Sequence, residues 1–146
     1  MEDKNIYNYK VQALNGEEID LGIYRDKVLL IVNTASQCGF APQLEGLEKL
    51  RKAFDGADFE VLTFPSNDFR GQEPLSGNQL EEFCSINYQA RFAIFDKIHV
   101  KGPDAHPLYQ FLSSKKLNGN VNSSPKWNFH KYLINRKGED VDFFYT

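Results

Sequence analysis

The run Val28-Leu29-Leu30-Ile31-Val32-Asn33 constrains this chain more than any other feature. Apolar side chains occupy consecutive positions there with no polar face, the pattern of a strand covered on both sides. Such a strand belongs in the middle of a sheet. The segments around it supply candidates for the cover. Leu44, Leu47, Leu50 and Phe54 recur at helical spacing, while Glu45, Glu48, Lys49, Arg51 and Lys52 take the other face, which predicts an amphipathic helix. Residues 59–64 form a second apolar run, stopped by Pro65. Beyond it, Ser76-Gly77-Asn78-Gln79 has the look of a capping box opening a helix that carries Leu80, Phe83 and Cys84.

Hairpins close both ends of this pattern. Residues 7–13 and 19–21 flank Asn15-Gly16, a pair that readily takes the positive φ angles of a tight turn. Pro107, with Leu108, Phe111 and Leu112 after it, marks a third helix. Residues 129–134 and 142–145 then flank Arg136-Lys137-Gly138 as an antiparallel hairpin. The longest irregular stretches are 65–75 and 115–126. Two βα steps followed by a helix and a hairpin predict an α/β, thioredoxin-like fold, with a central mixed sheet flanked by helices and an N-terminal β-hairpin. With 146 residues, 41% of them apolar, the chain is long enough for one core and too short for two, so residues 1–146 are expected to form a single domain.

A net charge of −3 offers no basic field for nucleic acid or an anionic membrane, and a small or neutral substrate fits better. Met1-Glu2-Asp3-Lys4-Asn5 opens on charge without an apolar export region, and no later stretch approaches the length of a membrane span. A soluble, cytoplasmic protein is expected. Two cysteines make a poor disulfide framework, so in a reducing compartment they are either reactive or simply buried. His99, His106 and His130 are dispersed without ligand spacing, so no metal site is expected.

Cys38 lies a few residues past the carboxyl end of the buried strand and just before a helix. Open α/β sheets place ligands there, and a helix amino terminus stabilises an anion such as a thiolate. Gly39 allows close backbone approach to the sulfur, and no carboxylate lies within residues 34–42 to oppose a thiolate. The alternative is a buried cysteine acting as a small hydrophobe. Position alone leaves both open.

Three blocks decide between them. They are Asn33-Thr34-Ala35-Ser36-Gln37-Cys38-Gly39-Phe40-Ala41-Pro42-Gln43, then Phe64-Pro65-Ser66-Asn67-Asp68-Phe69 with Gly71-Gln72-Glu73-Pro74, then Lys126-Trp127-Asn128-Phe129. In order and spacing they resemble the signature blocks of the glutathione peroxidase family, and the resemblance runs from about residue 7 to the end of the chain. It implies that Cys38 is the peroxidatic residue in a tetrad with Gln72, Trp127 and Asn128. Two side-chain amides and an indole N–H can donate hydrogen bonds without competing as bases. Donors aimed at one sulfur favour its charged form, and they can stabilise the negative charge that moves to the departing oxygen. The stretch Leu80-Glu81-Glu82-Phe83-Cys84-Ser85-Ile86-Asn87-Tyr88 resembles the helix bearing the resolving cysteine in thioredoxin-dependent members, which implies that role for Cys84.

The chain also departs from its relatives. Ser66 stands where many carry another cysteine. Relatives usually show a glycine after Tyr88 and a proline where Ala93 stands, and they usually continue into a final helix that covers the sheet. The insertion associated with tetrameric members is missing, which points to a monomer. The implied activity is reduction of hydrogen peroxide and organic hydroperoxides through a Cys38 sulfenic acid and a Cys38–Cys84 disulfide, recycled by thioredoxin without a bound cofactor. Two alternatives stay open. One is direct use of glutathione without Cys84, and the other is a redox sensor or relay that passes oxidation to a partner protein.

Overall fold

A computed structural model describes residues 4–146. Strands β1 (Lys10–Gln12) and β2 (Glu18–Asp20) pair antiparallel as the opening hairpin, with Gly16 at φ 86° in the turn, where a side chain would be strained. A short 3-10 helix, Leu21–Tyr24, leads into β3 (Val28–Thr34). The remaining elements are α1 (Gln43–Ala53), β4 (Phe59–Pro65), α2 (Asn78–Tyr88), β5 (Ala93–Ile94), α3 (Pro107–Ser113), α4 (Lys115–Asn118), β6 (Lys131–Ile134) and β7 (Asp140–Phe144).

The sheet order is β5-β4-β3-β6-β7, parallel from β3 through β4 to β5 and antiparallel from β3 through β6 to β7. The expected mixed sheet is therefore present, with the fully apolar run at its centre. Alternation along β3 sends Leu29 and Ile31 to one face and Leu30 and Val32 to the other. The first pair packs with Leu62, Phe64, Tyr132 and Ile134 beneath α3, whose Leu108, Tyr109, Phe111 and Leu112 are all buried. The second pair packs with Val61, with Leu44 and Leu47 of α1, and with both cysteines. Among the described residues, no helix is long and apolar enough to cross a membrane.

Several elements differ from the expectation. No capping box opens α2: the residue before it is Gly77 at φ 55°, and no side chain caps the helix. The helix begins one residue later than the pattern requires, so the cap position falls on Gly77, which has no side chain, and the Gln79 N–H goes to the Ser76 carbonyl at 3.2 Å. Residues 115–126 contain the four-residue α4, ended by Gly119 at φ 90° and braced by the buried Asn118, whose amide spans Phe111, Leu112 and Val121. β5 has two residues, too few to show a period. At α3 the Pro107 expectation holds, and His106 Nδ1 accepts from the Leu108 N–H at 3.1 Å.

One buried carboxyl makes stability depend on pH. Asp140, fully buried at the start of β7 beside the irregular pairing with Ile134, has no hydrogen-bond partner on either oxygen among the described residues. Burial, aided by the nearby charge of Asp142, pushes its pKa from 3.8 up to about 8. The folded chain thus keeps a proton that the unfolded chain releases above about pH 4, so stability falls as pH rises through the window up to about 8. Asp140→Asn keeps the shape and removes the titration. In urea unfolding at pH 5 and pH 8, the variant is expected to lose on the order of 2–5 kcal/mol less than wild type over that interval. Parallel pH dependence in the two proteins would contradict this.

Candidate active site

Residues 35–42 leave the end of β3 as a series of turns that merges into α1, with Ala41 N–H on the Cys38 carbonyl at 2.9 Å. Cys38 is only 5% exposed, and its Sγ accepts a hydrogen bond from the Phe40 N–H at 3.4 Å. Apolar packing holds the sulfur on one side, where Cys38 shares a cluster with Ala35, Leu44, Leu47, Phe92, Phe129 and Cys84. The two readings of its position are therefore compatible: the side chain is buried, and a backbone N–H at the approach to a helix points at its sulfur.

The loop after β4 crosses this segment. Arg70 at φ 58° and Gly71 at φ 61° reverse the chain, and the Glu73 N–H closes the turn on Asn67 Oδ1 at 2.9 Å. The Gln72 carbonyl accepts from the Gln37 N–H at 2.9 Å, so Gln72 is tied to the residue next to Cys38. Asn128 Nδ2 donates to Gln72 Oε1 at 3.0 Å. With the Gln72 oxygen so occupied, its NH₂ is the end left to donate. Trp127 is half-buried and packs against the cysteine cluster, its ring 5.6 Å from that of Phe69 and beneath the Arg70 guanidinium at 5.8 Å.

The structure thus gathers the Cys38 loop, Gln72, Trp127 and Asn128 at one end of the sheet. It does not aim the three donors at the sulfur: among the described residues, the Phe40 N–H makes the only hydrogen bond to Sγ. Catalytic contacts often tighten only when the reacting molecule is bound.

Two residues unremarked in the sequence build this arrangement. Asn33, fully buried at the end of β3, donates through Nδ2 to the Trp127 carbonyl at 3.2 Å, and its own carbonyl takes the Phe129 N–H at 2.6 Å. These bonds hold Phe129 at φ 68°, a costly angle for an aromatic residue, and so fix the turn that carries Trp127 and Asn128. Glu73, 1% exposed, accepts from the Ser36 N–H at 2.9 Å and from the Ser36 hydroxyl at 2.6 Å. No carboxylate comes from residues 34–42 themselves, yet Glu73 brings one against them. Burial raises its pKa although the Ser36 bonds pull the other way. The signal for both residues was their place inside the blocks, each being a polar residue beside an apolar one.

Cys84 lies on the inward face of α2, 6% exposed, and both cysteines are free thiols. Burial pushes the Cys84 thiol up to about 12, and the charge of Glu73 adds to the shift. In this packed state it is a poor nucleophile. Ser66 is buried, and its hydroxyl oxygen accepts from the Asp68 N–H at 3.3 Å. Gln89, where the resemblance implies a glycine, ends α2 at φ 51°, and Ala93, where it implies a proline, pairs with Leu62 as part of β5.

A mixed five-stranded sheet with helices on both faces, and a cysteine between its central strand and the following helix, defines a thioredoxin-like thiol protein. A family model described as glutathione peroxidase matches residues 6–113. A glutathione peroxidase of Lactococcus lactis is 44% identical over 140 residues, covering 96% of this chain and 88% of that protein. The hydroperoxy fatty acid reductase of Synechocystis is 42% identical over 146 aligned positions, covering 95% and 85%. The crystal structure of T. cruzi GPX1 superposes with a TM-score of 0.75 at 35% identity, covering 96% and 85%. The chain belongs to the glutathione peroxidase family and is a peroxidase.

Proposed function

We propose that the protein is a two-cysteine thiol peroxidase that reduces hydrogen peroxide and organic hydroperoxides and is recycled by thioredoxin. The observation that carries this reading is the sharing of one apolar cluster by both sulfurs, on the same face of the sheet, with Cys38 in the loop and Cys84 on the helix beside it. The Cys38 thiolate attacks one peroxide oxygen; an S–O bond forms, the O–O bond breaks, and the departing alkoxide or hydroxide takes a proton. Gln72, bonded to Asn128 and tied by its carbonyl to Gln37 in that loop, serves together with Asn128 and Trp127 as a neutral donor for the developing negative charge. The Cys84 sulfur then attacks the Cys38 sulfenic acid. An S–S bond forms, the S–O bond breaks, and water leaves with the thiol proton. A dithiol of thioredoxin reduces the disulfide by exchange.

The Synechocystis relative is named for hydroperoxy fatty acids, which supports including organic hydroperoxides among the substrates. The missing insertion noted above supports action as a monomer.

The test is NADPH consumption with peroxide, coupled in parallel to a thioredoxin system and to a glutathione system. The expected result is turnover with thioredoxin and a Cys38–Cys84 disulfide by peptide mapping after one equivalent of peroxide. Turnover with glutathione alone, and no such disulfide, would favour direct use of glutathione. Fast oxidation with turnover in neither system would favour a relay.

A further inference from the structure

We propose that Glu48 is the latch on Cys84: it holds the segment that follows α2 and sets how fast Cys84 reaches oxidised Cys38. The inference rests on the two-cysteine reading above and names a positioning residue for its second step. Glu48 lies on α1 and is nearly buried. Its partner on the same helix is Arg51, which forks onto both carboxylate oxygens at 2.7–3.1 Å. That pair alone would satisfy the charge. Oε1 nevertheless also accepts the Arg91 N–H at 2.6 Å and the Phe92 N–H at 3.1 Å, from a stretch more than forty residues away in the chain.

Those two amides lie where a hold on Cys84 would act. The Cys84 carbonyl is capped by the Ala90 N–H at 3.2 Å, one residue before the first latched amide. The Phe92 ring, just after it, packs in the cluster that buries both sulfurs. Between these points the chain turns at Gln89, φ 51°, a left-handed angle that a non-glycine residue holds only when its surroundings impose it. Phe83 and Tyr88 also pack this end of α2 against the cysteine cluster, but the Glu48 bonds are the polar tie that joins the segment after it to α1. A groove of about 660 Å³ opens along this junction of the two helices, and Glu48, Arg51 and Arg91 themselves line it together with Ser85, Tyr88 and Gln89.

Attack on the Cys38 sulfenic acid needs a reachable thiolate, and Cys84, 6% exposed and with burial pushing its thiol up to about 12, becomes one when the helix that bears it loosens. With the latch closed, Cys84 stays in its buried position. With the latch open, the strain at Gln89 favours release.

The test uses a Cys38→Ser background, in which Cys84 is the only thiol, and follows its labelling by an aromatic disulfide reagent. Glu48→Ala is expected to speed labelling about tenfold or more, the factor carried by one hydrogen bond to a charged acceptor. Glu48→Gln keeps an acceptor without the charge and should fall between, which decides the case if Glu48→Ala does not fold. Ile134→Ala lowers stability from the opposite face of the sheet and is expected to speed labelling far less. In protein with both cysteines, Glu48→Gln should accelerate disulfide formation and leave the first oxidation unchanged. Unchanged labelling in both Glu48 variants overturns the latch, as does equal acceleration by Ile134→Ala. Faster labelling with no disulfide in wild type or variant supports the latch and overturns the two-cysteine reading.

Discussion

Cys38→Ser is expected to abolish peroxide reduction while leaving the fold in place. The substitution exchanges sulfur for a smaller oxygen at a buried site where one polar contact, the Phe40 N–H, can be kept by a hydroxyl. Packing losses are therefore small, and circular dichroism and unfolding midpoints should stay close to wild type. The chemistry differs completely, because a serine hydroxyl without an adjacent general base is not a nucleophile at neutral pH. Among the described residues, no histidine or lysine bonds to position 38. Loss of the nucleophile from a group acting as a unit costs about a thousandfold or more in rate. Truncating the donors should cost less. Gln72→Ala, Trp127→Phe and Asn128→Ala are each expected to slow the first oxidation by roughly a hundredfold, the scale of one preorganised donor at developing charge. Stopped-flow peroxide consumption separates the two classes. A Cys38→Ser variant that still turns over peroxide removes Cys38 from the reaction, and wild-type rates in all three donor variants return those side chains to a purely structural role.

Much of this arrangement was legible because it is written in local pattern. The apolar run at residues 28–33 has one stable place in a sheet, and β3 occupies it at the centre. Leu44 and Leu47 point α1 at the same face as Cys84 because helical spacing and strand alternation both have short periods. The three blocks also come together in space: Gln37 bonds the Gln72 carbonyl, and Asn128 bonds the Gln72 side chain.

What escaped is tertiary. Glu48 reads as one more charge on the polar face of an amphipathic helix, and only the path of residues 90–92 turns it into a buried acceptor. Arg51 and the two backbone amides outweigh its burial and keep its pKa below the usual carboxylate range, so it stays charged. Glu73 sits far in sequence from the Ser36 groups it binds, and Asp140 stands in a hairpin between the half-buried Glu139 and the exposed Val141. Periodicity carries no information about any of these three. The failed capping box at residues 76–79 teaches the complementary lesson, since a shift of the helix start by one residue puts Gly77, without a side chain, where Ser76 would have to stand.

Cys84→Ser is expected to collapse thioredoxin-coupled turnover while the first oxidation remains fast. The asymmetry follows from where the two thiols stand. Cys38 accepts a backbone N–H in a loop at the start of α1, whereas Cys84 is packed on the inner face of α2 with its pKa raised to about 12. Cys84 therefore takes no part while the helix is closed, and its removal leaves the attack on peroxide untouched. Once Cys38 of the variant is a sulfenic acid, no second cysteine remains to attack it, because the chain has only two. The sulfenic acid should then persist long enough to be trapped by a dimedone-type reagent, and excess peroxide should drive it to sulfinic acid. Thioredoxin acts on disulfides by exchange, so without the internal disulfide its turnover should fall to a small fraction of wild type. Glutathione is expected to form a mixed disulfide with the Cys38 sulfenic acid and partly restore turnover. The serine is nearly isosteric and buries one hydroxyl, so a modest loss of stability is expected, about 1–2 kcal/mol. Undiminished thioredoxin-coupled turnover in Cys84→Ser would make Cys84 a packing residue alone and end the two-cysteine mechanism, with peroxide reduction then resting on Cys38 and an external thiol.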